Sequence, residues 1–523
     1  MMHLRLLATS ALLCAVGCAR APEPPAPAVP PALIVWVTVD QLRGDLLDHY
    51  RPMFTGGFRR LLSEGRVYTN ASHDHGRTVT ASGHASLSTG VHPSTHGIVG
   101  NSWYERAGDK WAQKSNVGDS TVRTVGASLP GVSPRNLMST GLADWMVSAN
   151  PASIIASVSG KDRGAILPAA HAKGHVYWFE PAGGFVTSTY YRDTLPPWVV
   201  RFNSDVVPRY MADTVWTFTA PASSVHLSSP DTAAHESDGT HTYFPHRLSD
   251  HTQNREPNTF RAWMERTPLS DAATIEFAET MVTELGLGRD GTVDLLAIGV
   301  SQTDAIGHEF GPFSREQLDN LYRLDRRLGA LFAFLDRTVG RDRYIVGLSA
   351  DHGVMTPPED PRAVPGSRRL TAAERQVWQQ IVTQAVATDG AAAAAPRIVA
   401  ALKGQPAIGD AWTTEELMRR VPPDSFAVMM RRSMYPGRVV GIFSRDGVEA
   451  WPRANILANE RTGTTHGSPY WYDRHVPIIF MGPGIHAERV DDRVSTLDFA
   501  PTLAGYARVR IPGNLEGKAL GLR

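Results

Sequence analysis

Three stretches of the chain are apolar almost without interruption, and each runs into an aspartate. Residues 33–39 lead to Asp40, residues 293–300 precede Asp304, and residues 344–349 precede Asp351. Runs rich in Val, Ile and Leu, without alternating polar positions, predict strands buried on both faces of a parallel sheet. Residues 314–335 follow a helical rhythm instead. Leu321, Leu324, Leu328, Leu331 and Leu335 recur at steps of three and four, and Ser314 with Gln317 fits a capping box. These leucines are core positions and imply no cofactor.

Between these elements lie two less regular stretches. Residues 183–257 contain Trp, Tyr and Pro with weak periodicity and are expected to form an irregular cap over the site. Residues 357–445 interrupt the strand pattern and predict a small inserted subdomain. It would hold a helix capped by Thr371 and Glu374, an alanine run at 391–395 and a second helix near 414–420. A strand over 476–481 then returns to the sheet. Strands alternating with helices predict an α/β fold with a mostly parallel central sheet.

Position turns this pattern into chemistry. A carboxylate at the C-terminal end of a buried parallel strand sits where open α/β sheets bind ligands. Asp304 is followed four residues later by His308, and Asp351 directly by His352. Three carboxylates with two histidines and a fourth partner downstream predict two metal sites side by side, as in a two-metal hydrolase.

The N-terminus sets the compartment. Residues 1–5 are basic, and residues 6–17 form an apolar core too short to span a bilayer. This is expected to be a signal peptide, excluded from the fold. Its end, Ala15-Val16-Gly17-Cys18, resembles a lipoprotein cleavage box, so residues 1–18 would be removed up to a lipidated Cys18. Conventional cleavage near Ala21 is the alternative. Cys14 and Cys18 are the only cysteines, so the exported protein would hold no disulfide. The proline-rich residues 19–31 would then act as a stiff spacer, followed by one catalytic domain over 32–523. A periplasmic or outer-membrane-anchored protein of a Gram-negative bacterium is expected, with membrane contact only through that lipid. The 52 basic and 52 acidic residues cancel, so nothing steers the chain towards nucleic acid. A monomer is expected.

Residues 77–90 are dense in Thr, Ser, Gly and His. A hydroxyl residue opening a helix of small residues is well placed as a nucleophile, because free backbone amides there favour negative charge.

Taken together, Val39-Asp40, Thr80-Ala81-Ser82-Gly83-His84, residues 96–101, Asp304 with His308, Asp351-His352-Gly353 and residues 465–468 resemble the alkaline phosphatase superfamily. The likeness is nearest to its bacterial phosphate-irrepressible members with a threonine nucleophile, and it covers about residues 33–505. The resemblance implies a three-layer alkaline-phosphatase-like fold, Thr80 as nucleophile and two Zn²⁺ per chain. It assigns Asp304, His308 and His466 to one zinc, and Asp40, Asp351 and His352 with the Thr80 oxygen to the other. Mixed Asp/His sets suit zinc. It also places Lys161, Arg163 and Asn101 against the phosphoryl oxygens.

Extra cations reward a monoester dianion over a diester, so small phosphate monoesters are the expected substrates and phosphate scavenging the expected role. A phosphodiesterase or nucleotide pyrophosphatase of the same superfamily shares every metal ligand and is the alternative. A sulfatase would need a C/S-x-P-x-R context, which residues 80–84 lack. A non-catalytic surface lipoprotein should have lost a ligand or the nucleophile, and none is missing. No magnesium site is expected. His73, His75, His84, His92 and His96 are expected to be structural, and His475 to support His466 from behind.

Overall fold

The computed structural model describes residues 30–521, apart from 109, 181–183, 252–262, 391–392, 420–423, 442 and 459–460. The expected signal peptide, Cys18 and nearly all of the spacer lie outside the described residues.

Eleven strands build one sheet. In chain order they are β1 (Leu33–Val39), β2 (Arg66–Ser72), β3 (Gly118–Val125), β4 (Pro130–Val132), β5 (Ile155–Ser159), β6 (His175–Glu180), β7 (Gly184–Ser188), β8 (Asp294–Val300), β9 (Tyr344–Ser349), β10 (Ile478–Met481) and β11 (Glu488–Ser495). Across the sheet the order is β11-β2-β10-β9-β1-β8-β5-β6-β7-β3-β4. The five strands from β9 to β6 are parallel. Antiparallel pairs flank them on both sides.

The unbroken apolar runs reflect cover on both faces. In β1, Leu33, Val35, Val37 and Val39 enter one core and Ile34 and Trp36 the opposite one. The first core packs under α4 (Leu269–Leu285) and α6 (Arg315–Leu335). The second packs under α2 (Thr80–Thr89), α3 (Asp162–Ala169) and the helix Phe499–Tyr506. Three layers result. Between β8 and α6 runs α5 (Gln302–Phe310), and α1 (Gly57–Glu64) packs on α6.

Ser314 Oγ caps α6 by accepting the Gln317 amide at 3.0 Å. The Gln317 side chain does not close the reciprocal half of the expected box. It donates to Thr303 O at 2.8 Å, tying α6 to α5.

The inserted unit has its own small core, including Leu370, Trp378, Ile398, Leu402 and Val448. Thr371 and Glu374 form a capping box on the helix Ala372–Asp389. The unit continues past residue 445, because Val448–Pro452 pairs with Ile408–Thr413. Arg77 anchors it through a buried ion pair with Glu449.

The stretch expected to be an irregular cap begins with sheet strand β7 and two helices, Pro197–Asp205 and Val207–Met211. It becomes irregular beyond them, where Asp319 on α6 accepts Trp216 Nε1 at 2.7 Å and the Thr219 and Ala220 amides at 2.6 and 3.0 Å. Among the described residues no helix is long and apolar enough to cross a membrane.

Candidate active site

Register brings the three aspartates together. Val39 lies opposite Val300 and Thr38 opposite Ser349. The chain therefore leaves β1, β8 and β9 at one level, the C-terminal edge of the parallel strands. Asp40, Asp304 and Asp351 meet there, all buried.

Helical spacing places His308 on the same face of α5 as Asp304, with Nε2 3.1 Å from Asp304 Oδ1. The loop carrying His466 is tied to α5 by the Thr464 amide, which donates to His308 O at 2.8 Å. His466 Nε2 then lies 3.6 Å from Asp304 Oδ1. His352 Nε2 is 3.4 Å from Asp40 Oδ1 and 3.6 Å from Asp351 Oδ2, and its ring stacks on His466 at 3.5 Å.

All three imidazoles are held the same way. Nδ1–H of His308 donates to Thr464 O, that of His352 to Gly353 O and that of His466 to Thr78 O, at 2.9, 3.0 and 2.7 Å. This turns each Nε2 inward, the usual arrangement behind a metal-ligating histidine.

Charge at the centre is uneven. Burial and the neighbouring Asp40 push Asp351 well above the usual carboxylate range. Burial also acts on Asp304, but Lys161 and His308 outweigh it and hold that carboxyl low. His308 loses solvation, yet the Asp304 carboxylate beside it lifts its pKa to about 9. Asp40 Oδ1 and Asp351 Oδ2 are buried without a hydrogen-bond partner. Orphaned carboxylate oxygens facing imidazole Nε2 atoms are a donor set for divalent cations. Two trios have ligand atoms within 4.8 Å of one another: Asp304, His352 and His466, and Asp40, His84 and Asp351.

Thr80 is the first residue of α2, whose ten residues are all buried. Its Oγ1 lies 3.5 Å from His352 Nε2. Gly83 makes that approach possible, because a Cβ there would sit 2.1 Å from Asp351 O. The nucleophile candidate thus rests against the end of β9, with the positive end of the helix dipole behind it.

This geometry has close relatives. A family model described as type I phosphodiesterase / nucleotide pyrophosphatase matches residues 34–439. The chain belongs to that family, within the alkaline phosphatase superfamily. It is 32% identical to the alkaline phosphatase PafA of Elizabethkingia meningoseptica, over 94% of both chains. It is 31% identical to the alkaline phosphatase PhoV of Synechococcus elongatus, over 94% of this chain and 92% of that one. The crystal structure of PafA superimposes with a TM-score of 0.84 at 30% identity, covering 94% of this chain and 99% of that one. The chain is accordingly a hydrolase of the phosphodiesterase and phosphatase superfamily.

On this phosphodiesterase-family scaffold, the residues expected at the phosphoryl group stand around the same centre. Lys161 precedes α3 and turns inward, with Nζ 2.5 Å from Asp40 Oδ2 and 2.6 Å from Asp304 Oδ2. Burial opposes its charge, but Asp304 and Asp40 raise its pKa. Arg163, in the first turn of α3, has a buried Nε without a partner. Asn101 Oδ1 accepts the Ala81 amide at 2.9 Å, beside Thr80.

Two residues at the site escaped the sequence reading. His84, expected to be merely structural, lies one turn after Thr80, with Nε2 3.7 Å from Asp351 Oδ2. Its place four residues after a helix-opening threonine was the available signal. Gln41, which donates to both Asp351 and Asp304, is the other, and its left-handed backbone leaves no trace in the sequence. His475 goes the opposite way: its Nε2 bonds Thr69 O at 2.9 Å and its ring stacks on Trp471. His73 bonds Ala350 O and Thr496, and His96 bonds Ser86, as structural histidines do.

Proposed function

We propose that this protein is an alkaline phosphatase that hydrolyses small phosphate monoesters through Thr80. Thr80 Oγ attacks phosphorus, the ester P–O bond breaks, and the alcohol departs. Water then attacks the phosphothreonine, releasing inorganic phosphate and restoring the hydroxyl. When bound, two zinc ions supply Lewis acidity for the attacking and departing oxygens. Asp304, His308 and His466 would hold one, and Asp40, Asp351, His352 and the Thr80 oxygen the other.

The chain's own residues do the rest. The amides opening α2 favour negative charge on the Thr80 oxygen and on the phosphoryl group. Arg163 offers a planar fork to two phosphoryl oxygens and Lys161 a point charge, with Asn101 adding a neutral donor. A cavity of about 550 Å³ opens beside Lys161 and Arg163 and includes Leu129, Trp178, Phe179 and Met264 in its lining. It would receive the organic part of the ester.

The observation that carries this reading is two cationic side chains, Lys161 and Arg163, beside a helix-opening threonine at the carboxylate–imidazole centre. A monoester dianion carries more non-bridging charge than a diester, so both cations favour it. Phosphodiesterase activity is the second reading, since the metal ligands are common to both. Phosphate scavenging outside the cytoplasm, with a lipid on Cys18 and a monomeric chain, completes the proposal.

The test compares a phosphate monoester with its methyl diester, using the zinc-loaded protein and a Lys161→Ala/Arg163→Ala variant. Preference for the monoester that shrinks in the variant supports the reading. A wild-type preference for the diester moves the protein to the second one.

A further inference from the structure

The turn that follows β1 is strained at one residue. Gln41 has φ +65°, in the left-handed region that a glutamine seldom occupies. Strain of this kind persists where the surroundings over-determine it, and it collects at functional sites.

Here the conformation aims both donors of one residue at two different carboxylates. The Gln41 amide donates to Asp351 Oδ1 at 3.1 Å, and Nε2 donates to Asp304 Oδ1 at 2.7 Å. The side chain is fully buried. Its orientation is set by chemistry, because a carboxylate accepts and so must face Nε2 rather than Oε1. Oε1 then points at α5, where a Cβ on Gly307 would lie 1.9 Å away. Any larger residue at 307 would displace the amide. Asp40, the neighbour in sequence, is the third carboxylate of the centre.

We infer that Gln41 is a positioning residue that fixes the spacing of the two metal positions, by holding a carboxylate ligand from each. The inference rests on the two-metal assignment above. Partners behind a metal ligand orient it and tune its affinity. A single residue spanning two ligands also sets the distance between them, with the strained backbone as the rigid part of the brace.

Zinc affinity tests this independently of turnover. Chelator competition on the full chain resolves the two zinc ions, and the step lost in His308→Ala marks the Asp304 side. Gln41→Gly tolerates positive φ and keeps the amide on Asp351, but removes the donor to Asp304. The Asp304-side ion should bind about 10–100-fold more weakly, with the other ion within about twofold of wild type. Gln41→Glu fills the same space without donating and should weaken the same step.

Urea unfolding of metal-free Gln41→Gly should show at most a modest loss, since relief of the strain offsets part of what the buried side chain and its hydrogen bond contribute. Unchanged affinity at both steps in both variants overturns the inference. So does equal weakening of both steps with lower metal-free stability, the sign of a merely structural residue. Fewer than two zinc ions in the wild type overturns the two-metal assignment, and this inference with it.

Discussion

At the scale of single residues, Arg163 and Lys161 play different parts although both are cations. Lys161 Nζ is already bonded to Asp40 and Asp304, so it offsets charge within the centre. Arg163 Nε has no partner, so its guanidinium is the freer group to meet a phosphoryl oxygen. Arg163→Ala should lower kcat/KM for a monoester by about 10²–10³-fold, and for the methyl diester far less. Steady-state kinetics on both esters measures this, and equal losses would contradict the assignment. Asp40, Asp304 and Asp351 were legible in the sequence because each lies within four residues after a buried apolar run. Gln41 was not, because a backbone dihedral exists only in three dimensions, and the spacing of His84 from Thr80 gains meaning only where α2 meets the end of β9.

At the scale of elements, α2 acts as a rigid mount. Gly83 lets it lie against the backbone of Asp351, and the Ala81 amide is pinned by Asn101. Gly83→Ala should push α2 off β9 and cost about 1–3 kcal/mol of stability. A misplacement of roughly 1 Å at the nucleophile costs about 10²-fold in rate. Denaturant unfolding and kcat together check this, and a variant with wild-type kcat would show that α2 has slack.

A second element-scale test lies away from the chemistry. Asp325 on α6 accepts the amides of Thr55, Gly56 and Phe58 at 2.6–2.8 Å and so caps α1. Asp325→Ala leaves these donors unpaired and should destabilise by about 1–3 kcal/mol, with kcat per folded molecule unchanged. The helix over 314–335 and the central strands could be read from periodicity. Of the antiparallel flanks only β10, the strand expected over 476–481, could be read, because short strands such as β4 and β7 carry too few residues to show a period.

At the scale of the whole molecule, the ligand candidates come from the ends of β1 and β9, from α5, from the start of α2 and from the loop holding His466. Cations bound there would cross-link the centre of the sheet, with binding free energy added to folding free energy. Stripping zinc with a chelator should lower the melting temperature and restoring it should reverse the change. The stabilisation would reach about 4 kcal/mol when free zinc is 1,000 times its dissociation constant. Differential scanning calorimetry at two zinc concentrations measures it, and a midpoint indifferent to zinc would contradict the metal assignment.

The central claim is that phosphate passes through Thr80. The most direct measurement is a rapid acid quench during monoester turnover by the zinc-loaded protein, followed by peptide mass mapping. A phosphate on the peptide containing Thr80, absent from Thr80→Ala together with turnover, is the predicted result. Turnover that survives Thr80→Ala, with no phosphopeptide in the wild type, would contradict it.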